Sequence, residues 1–188
     1  NRPISAAALT VPTTPLRTNP RARLIVALDL PGVDEAAAMV ARIGDACAFY
    51  KIGHQLLFTG GETLVRALVS QGRQVFVDAK LLDIGETVAK GTASIADLGA
   101  TFLTVHAQGH AVASAVRGRG ASPLKILAVT VLTDHDDRDL AADGVAGPVS
   151  ARVLARAKAA RAAGADGIVC SPNEAAAIRA ALGPAPFL

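Results

Sequence analysis

The sequence predicts an α/β fold, a (β/α)8 barrel (TIM barrel) of which about six βα units are present. Short apolar segments of strand length alternate with helical segments from Arg23 onward, which indicates parallel strands joined by crossover helices. Each apolar segment becomes polar only at its carboxyl end, as strands do at the mouth of such a barrel. The turn after the first strand lacks a glycine-rich phosphate motif, and this disfavours the competing doubly wound sheet.

The predicted elements follow one another in a regular order. Six strand segments lie at residues 23–30, 48–53, 74–80, 102–107, 126–133 and 167–171. Asp34 is the predicted N-cap of the first helix, and the helical segments lie at residues 34–43, 61–70, 84–98, 111–116, 150–163 and 173–182. Gly72, Gly99 and Gly164 each follow a predicted helix and can end it in the left-handed conformation. Residues 187–188 are predicted to begin a seventh strand.

The composition suits this architecture and argues against several classes of partner. Apolar residues make up 51% of the chain and aromatic residues 3%, so the core must consist mainly of Ala, Val, Leu and Ile. The net charge of +3 comes from basic residues interleaved with acidic ones, which does not indicate a nucleic-acid surface. No apolar run is long enough to span a bilayer, so no membrane partner is expected. Cys47 and Cys170 lie far apart in apolar segments, which predicts buried thiols of a cytoplasmic protein.

The amino-terminal segment differs from the rest of the chain. Residues 1–22 contain four prolines and three arginines but no acidic residue, which predicts an extended or disordered arm outside the fold. Residues 23–188 are predicted to form one barrel domain. We expect this domain to be incomplete at its carboxyl end, because a closed barrel of this type requires eight units.

Charged side chains are concentrated at the ends of the second and third predicted strands. Asp78 and Lys80 are two residues apart in one strand, so their side chains point to the same side of the sheet. Lys51 ends the neighbouring strand, and Asp83 follows Lys80 by three residues. Because unpaired charges are costly to bury, lysines and aspartates are expected to alternate here. Such a cluster can stabilise a developing carbanion and donate a proton to it without a metal ion.

Parts of this region also have a purely structural interpretation. Asp83 and Glu86 have the spacing of a capping box for the following helix. Asp78 and Lys80 can form a structural salt bridge at a strand end. A solvated loop without calcium-loop spacing is predicted after the fifth strand, at the acidic residues Asp134, Asp136, Asp137 and Asp139.

The segment from Asp78 to Thr87 carries the pattern D-x-K-x-x-D-I-x-x-T, which resembles the orotidine 5′-phosphate decarboxylase family. The resemblance extends to the VALD that ends at Asp29, the YKIG around Lys51 and the TVLT that ends at Thr133. TVHA in the fourth strand and VCSP at the end of the sixth match in the same order. D-x-K-x-x-D alone marks a wider superfamily, but the combined pattern is specific and runs from about residue 23 to residue 188.

The resemblance implies a lyase of pyrimidine biosynthesis that converts orotidine 5′-phosphate to UMP and CO2 without a metal ion or organic cofactor. Lys80 would protonate the carbanion at C6 of the pyrimidine. Asp78 would lie against the departing carboxylate and keep Lys80 charged and oriented. Lys51 would complete the charge network and reach the ribose. Asp29 would bind a ribose hydroxyl, and Thr133 would contact the pyrimidine edge.

The resemblance also implies a homodimer whose active sites are shared between subunits. The residues that match Asp83 and Thr87 enter the site from the partner subunit, where Thr87 would meet the ribose. The family holds the substrate phosphate with an arginine after the eighth strand and a glutamine after the seventh. Neither position occurs in this sequence, which leaves open how the phosphate would be bound.

Two alternative functions are open at this stage. A metal-dependent sugar-phosphate decarboxylase or aldolase of the same superfamily shares D-x-K-x-x-D, but typically has glutamate where this chain has Lys51. An ammonium group at that position repels a magnesium ion, which disfavours this alternative. The other alternative is a barrel that binds a phosphorylated ligand without catalysis, and the complete charge cluster disfavours it.

Overall fold

Residues 24–183 are described by the structure, a computed structural model, and contain one parallel sheet. Its strands are paired in the order of the chain: β1 (Val26–Ala27), β2 (Phe49–Ile52), β3 (Gln74–Leu81), β4 (Phe102–His106), β5 (Lys125–Val129) and β6 (Gly167–Val169). A doubly wound sheet would reverse its strand order, whereas sequential order with right-handed crossovers places all helices on one face. The sheet is therefore part of a barrel, and the predicted (β/α) units are confirmed.

Eight α-helices and one short 3-10 helix (Gly44–Ala46) within the described residues connect and cover these strands. The α-helices are α1 (Val33–Ile43), α2 (His54–Leu57), α3 (Gly61–Ser70), α4 (Gly85–Asp97), α5 (Ala111–Arg119), α6 (Asp137–Ala142), α7 (Val149–Ala162) and α8 (Pro172–Leu182). No helix within residues 24–183 is long and apolar enough to cross a membrane. The predicted arm at residues 1–22 and the predicted strand start at residues 187–188 lie outside the described residues.

The helix ends confirm one set of local predictions and correct two others. Gly72, Gly99 and Gly164 have φ angles of 74°, 79° and 92°, the left-handed conformation that was predicted for them. Asp34 is not the N-cap of α1, because Gly32 occupies that position and no side chain caps the helix. The acidic segment after β5 is not only a loop: α6 begins there, and a capping box of Asp136 and Asp139 closes its amino end.

An aromatic layer lies on the face of the sheet opposite Val77, which is buried towards the helices. The ring of Phe102 lies 5.1 Å from that of Phe49 and 5.9 Å from that of Phe76. These three residues belong to β4, β2 and β3, and successive side chains of a strand alternate between faces. In each strand the next residue on this face lies two positions further on, and it is polar. These residues are Lys51 in β2, Asp78 in β3 and Thr104 in β4.

The start of α4, which follows the end of β3, is fixed by close packing against α5. A Cβ atom at Gly118 in α5 would lie 2.1 Å from the carbonyl oxygen of Ala89 in α4. A Cβ atom at Gly85, the first residue of α4, would lie 2.8 Å from Ser114 Oγ. A larger residue at Gly118 would displace the backbone of α4, and one at Gly85 would displace the Ser114 side chain, so both glycines permit the close approach of α4 and α5.

Candidate active site

Four charged side chains from the first three strands and their ends meet at the carboxyl end of the sheet. This Lys–Asp cluster consists of Asp29, Lys51, Asp78 and Lys80. Lys80 Nζ donates to both carboxylate oxygens of Asp78 at 2.9 Å. Lys51 Nζ lies 3.4 Å from Asp78 Oδ2 and 3.4 Å from Asp29 Oδ1, so the charges alternate in sign. The Asp78 side chain is only 13% exposed, and solvent therefore screens its two ion pairs weakly.

The strand that carries Asp78 and Lys80 departs from regular pairing between them. Val77 pairs with Leu103 and Leu81 pairs with Val105, so β3 advances four residues while β4 advances two. Lys80 lies in this bulge with a φ of 44°, the one positive φ of a non-glycine residue within residues 24–183. Such a conformation costs about 1 to 3 kcal/mol and persists only where the surroundings enforce it. Bulges beside active sites commonly serve to redirect a side chain, here that of Lys80.

Thr104, on the inner face of β4, contacts both ends of this bulge. Its Oγ1 donates a 2.7 Å hydrogen bond to Asp78 Oδ1 and accepts a 3.0 Å hydrogen bond from the Lys80 backbone N–H. Burial alone would raise the pKa of Asp78, but the hydrogen bonds from Thr104 and Lys80 and the charges of Lys80 and Lys51 outweigh it. The pKa of Asp78 is therefore below its ordinary value, and the group is ionised at neutral pH.

Two histidines lie near the cluster and differ in their surroundings. His54, the first residue of α2, has Nε2 2.8 Å from the carbonyl oxygen of Ala79 in the bulge. Because a carbonyl only accepts hydrogen bonds, Nε2 must carry the proton. Burial, followed by the positive charges of Arg156, Lys80 and His54, lowers the pKa of His106 at the end of β4. His106 is therefore neutral at pH 7.

The capping box predicted from Asp83 and Glu86 is absent. The N-cap position of α4 is occupied by Ile84, and no side chain caps this helix. Glu86 instead pairs with Arg117 at 3.3 Å and with Lys90 at 3.6 Å. Asp83 Oδ1 accepts a hydrogen bond of 2.6 Å from the adjacent N–H of Ile84. The structural interpretation of Asp83 is therefore wrong, and its carboxylate stays at the surface.

Three of the site residues predicted from the sequence lie apart from the Lys–Asp cluster. Asp83 follows β3, Thr87 lies in the first turns of α4, and Thr133 lies in the loop after β5; all three are exposed. No hydrogen bond or ion pair within residues 24–183 joins any of them to the cluster. The side chains of Leu82 and Ile84, which flank Asp83, are also exposed, at 50% and 70%. This segment thus presents an apolar and acidic surface to its surroundings.

The positive charge in the Lys–Asp cluster comes from the side chains of Lys51 and Lys80. Within residues 24–183, no group of three or more His, Cys, Asp and Glu side chains could hold a metal ion.

A cavity of about 120 Å³ lies at the ends of β4 and β5, and His106, Gln108 and Arg156 are among its lining residues. Arg156 donates to the Thr130 carbonyl oxygen at 2.6 Å and to Gln108 Oε1 at 3.4 Å, so hydrogen bonds hold its guanidinium in place.

Thr104 and His54 contact the site but were not among the residues predicted from the sequence. Thr104 is the one hydroxyl residue in the strand FLTVH, and it lies two positions beyond Phe102 on the inner face. A polar residue on the inner face of an apolar strand is a signal that could have identified it. His54 gives no such signal, because its role depends on a bulge in another strand.

Comparisons with known proteins agree with this geometry. A family model described as "Orotidine 5'-phosphate decarboxylase / HUMPS family" matches residues 22–185. An orotidine 5′-phosphate decarboxylase from Rhodopseudomonas palustris is 58% identical over 164 residues, which are 87% of this chain and 69% of the relative. A protein of the same name from Bradyrhizobium diazoefficiens is 55% identical over 170 residues, covering 90% of this chain and 72% of the relative.

A solved structure supports the same assignment. The crystal structure of orotidine 5′-phosphate decarboxylase from Lactobacillus acidophilus has a TM-score of 0.80 and 36% sequence identity. The match covers 88% of this chain and 78% of that one. Because the family model spans most of the sequence and relatives more than half identical cover nearly nine-tenths of it, the chain belongs to the orotidine 5′-phosphate decarboxylase / HUMPS family.

Proposed function

We propose that the chain decarboxylates orotidine 5′-phosphate to UMP, with Lys80 as the acid that protonates C6. The relatives that share more than half of their residues with this chain carry the name of that enzyme, which supports the substrate. The observation that carries the mechanism is the position of the Lys80 ammonium, 2.9 Å from both oxygens of Asp78. A fixed ammonium group is both a positive charge and a proton source.

The reaction is balanced without a cofactor. The bond between C6 and the carboxylate carbon breaks, CO2 leaves, and the electron pair of that bond remains on C6. A proton from Lys80 Nζ then bonds to C6, and the neutral amine regains a proton from solvent. The carbanion is localised, so positive charge must already be in place when it forms. The bulge of β3 and the Asp78 carboxylate hold Lys80 for this role.

Asp78 has two functions in the proposed mechanism. It keeps Lys80 charged and oriented through the paired hydrogen bonds. Its ionised carboxylate also lies where the substrate carboxylate must approach Lys80, and the repulsion between them is relieved as CO2 leaves. An interaction that is unfavourable in the ground state and absent in the transition state accelerates the chemical step.

The remaining groups of the site are assigned to substrate binding. Asp29 is the most exposed member of the Lys–Asp cluster, at 67%, and would bind a ribose hydroxyl from the rim. Lys51 lies between Asp29 and Asp78, and would contact the ribose from the same side. Thr133 in the loop after β5 would contact the pyrimidine edge. These are contacts with parts of the substrate that do not react, and they serve to position C6 against Lys80.

A chelator should have no effect on this reaction. We expect the rate of decarboxylation, followed by the ultraviolet absorbance of the pyrimidine, to stay unchanged after exhaustive treatment with EDTA. The reason is that Lys51 and Lys80 already supply the positive charge, and a divalent cation beside them would be repelled. Loss of activity in EDTA that added Mg²⁺ restores would instead support the metal-dependent sugar-phosphate enzymes of the superfamily.

We further propose a homodimer in which Asp83 and Thr87 complete the site of the partner subunit. Both side chains are exposed, and neither contacts the Lys–Asp cluster of its own chain. The exposed apolar side chains of Leu82 and Ile84 beside them are the kind of surface that an interface covers. In a two-fold dimer, each subunit would give the same segment to the other.

Mixing two inactive variants tests the shared site. Asp83→Ala and Lys80→Ala homodimers should each be nearly inactive, because each lacks one group at both sites. After subunit exchange, about half of the dimers are mixed and one of their two sites is intact, so about a quarter of all sites should recover. Mass spectrometry of the mixed dimers establishes the exchange. Proven exchange without recovered activity would argue against a shared site.

The proposed cellular location is the cytoplasm. Cys47 and Cys170 are free thiols, 1% exposed in the first case and partly buried in the second. Burial and the charge of Glu174 raise the pKa of Cys170, so its thiol stays protonated at neutral pH, and free thiols of this kind are typical of a reducing compartment. A small nucleotide substrate is compatible with this location.

A further inference from the structure

We propose that Thr104 is a positioning residue for the reaction: its hydroxyl holds the Asp78 carboxylate and the Lys80 backbone at once, and thereby sets where the Lys80 ammonium points. The inference rests on the proposed roles of Lys80 and Asp78. It concerns a residue that does not touch the reacting atoms and acts through those that do.

The bulge of β3 creates two backbone groups that need partners. Between Val77 and Leu81 the strand does not follow the ladder to β4, so the N–H of Lys80 and the C=O of Ala79 cannot be paired in the regular way. Backbone groups that lose their partner in the ladder need another one, from a side chain or from water. Thr104 Oγ1 accepts from the Lys80 N–H at 3.0 Å, and His54 Nε2 donates to the Ala79 oxygen at 2.8 Å. Side chains from both neighbouring units thus hold the bulge.

Water cannot easily replace Thr104 in this arrangement. The residue is 1% exposed, lies within β4 and has a single hydroxyl proton, which it gives to Asp78 Oδ1 at 2.7 Å. The oxygen lone pairs are then left for the Lys80 N–H. The Thr104 hydroxyl therefore acts as donor and acceptor at once. It joins the Asp78 carboxylate to the backbone of Lys80, whose side chain that carboxylate orients. The left-handed φ of Lys80 is stabilised by the same contact.

Removal of the hydroxyl should slow the chemical step more than it weakens substrate binding. We expect Thr104→Val, which keeps the shape of the side chain, to lower kcat by about 10- to 100-fold while KM changes by less than about threefold. In the proposed mechanism Asp29 and Lys51 bind the ribose, whereas the Thr104 hydroxyl contacts only Asp78 and Lys80, so ground-state binding should stay nearly unchanged. Steady-state kinetics at saturating and limiting substrate separate the two parameters.

Two further variants distinguish the hydroxyl from the volume of the side chain. Thr104→Ser keeps the hydroxyl and should retain kcat within about threefold of the unsubstituted enzyme. Thr104→Ala differs from it by the hydroxyl alone and should be as slow as Thr104→Val. Circular dichroism would reveal a valine variant that fails to fold. In that case the comparison of Thr104→Ser with Thr104→Ala still shows whether the hydroxyl is needed.

Thr101→Val is the matched control. Thr101 immediately precedes β4 and also joins it to β3, since its Oγ1 accepts a 3.3 Å hydrogen bond from the Val75 N–H. It lies at the opposite end of β3 from Lys80. The control variant removes the same kind of contact between the same strands and should leave kcat unchanged. A merely structural role of Thr104 would give the two valine variants similar kinetics.

The pH profile gives an independent measurement. The hydrogen bond from Thr104 is one of the causes that lower the pKa of Asp78; Lys80 and Lys51 supply the others and remain in the variant. The acidic limb of kcat/KM should therefore move to higher pH in Thr104→Val and stay in place in Thr104→Ser.

The inference is overturned if Thr104→Val retains the kcat of the unsubstituted enzyme, or if Thr104→Ser and Thr104→Ala lose activity equally. Its failure is distinct from failure of the proposed function. Activity in a Lys80→Ala variant would remove Lys80 from the mechanism whatever Thr104 does. An inactive Lys80→Ala variant together with a fully active Thr104→Val variant would remove only the positioning role.

Discussion

Replacement of Lys80 by alanine should lower kcat/KM for orotidine 5′-phosphate by about 10⁴-fold or more, because it removes the proton donor and a preorganised charge together. The fold should be kept. The Lys80 side chain is 29% exposed, and alanine keeps the Cβ atom, so the steric cost of the left-handed φ is the same in the variant. The measurement is the decarboxylation rate in EDTA, with circular dichroism and urea unfolding as checks on the fold.

Lys80→Arg separates the two roles of the lysine. Arginine keeps the positive charge, but its guanidinium does not release a proton in proteins. If Lys80 is the acid, the arginine variant should be nearly as slow as Lys80→Ala. If the side chain supplies charge alone, Lys80→Arg should recover much of the lost rate.

Lys90→Ala is the control for these substitutions. Lys90 lies in α4, its side chain is 77% exposed, and it pairs with Glu86 at the surface. Its removal should change kcat/KM by less than about twofold. A Lys80→Ala variant that is as active as Lys90→Ala would exclude Lys80 from catalysis.

The sequence predicted the parts of the site that depend on local periodicity. Strand side chains alternate, so the spacing of Asp78 and Lys80 predicted a shared face. The ends of neighbouring parallel strands meet at one edge, which predicted that Lys51 lies close to them. The structure brings these three residues and Asp29 together. The glycines that follow α3, α4 and α7 were predictable for a related reason, since the left-handed C′ position selects glycine through local sterics.

Features that depend on distant partners could not be predicted in this way. The bulge of β3 is held by Thr104 and His54, which lie in other units, and no pattern within residues 74–81 indicates it. Asp83 and Glu86 have the spacing of a capping box, but Arg117 from α5 takes Glu86. Contacts between distant elements determine whether a bulge or a capping box forms, and the spacing of residues along the chain carries no information on those contacts.

The outer strands illustrate the same limit. The first and sixth strands were predicted at residues 23–30 and 167–171, but they span only Val26–Ala27 and Gly167–Val169. Both lie at the ends of the described sheet and pair with a neighbour on one side only. Apolar character extends further along the chain than hydrogen-bonded pairing does, because pairing requires a partner strand.

Replacement of Asp78 by asparagine should have the second-largest effect, lowering kcat/KM by about 10³-fold. Asparagine keeps the shape but not the charge, so the ion pairs with Lys80 and Lys51 are lost, and its NH2 group cannot accept the hydrogen bond that Lys80 directs to that side of the carboxylate. Lys80 would then lose its counter-ion, and Asp29, which pairs with Lys51, would be the one carboxylate of the cluster left beside the two ammonium groups. The repulsion of the substrate carboxylate by Asp78 would also be lost.

The same variant should show a pH-dependent loss of stability. The folded-state pKa of Asp78 is lowered, so the ionised group stabilises the fold above the unfolded pKa of about 3.9. That contribution disappears as the pH falls through the lower folded-state pKa, where the protonated acid resembles the amide. The difference in urea midpoint between the enzyme and Asp78→Asn should therefore be largest near pH 7 and shrink below pH 4.

Asp45→Asn provides the matched control for this measurement, since Asp45 pairs with Arg73 at 3.4 Å but its side chain is fully exposed. Solvent screens such a pair, so neither activity nor the urea midpoint should change at any pH. A destabilisation of Asp78→Asn that stays constant down to acidic pH would mean that lost packing, and not lost charge, is responsible. Undiminished activity in Asp78→Asn would show that Lys80 is held and charged without its carboxylate partner, and both proposed functions of Asp78 would then be excluded.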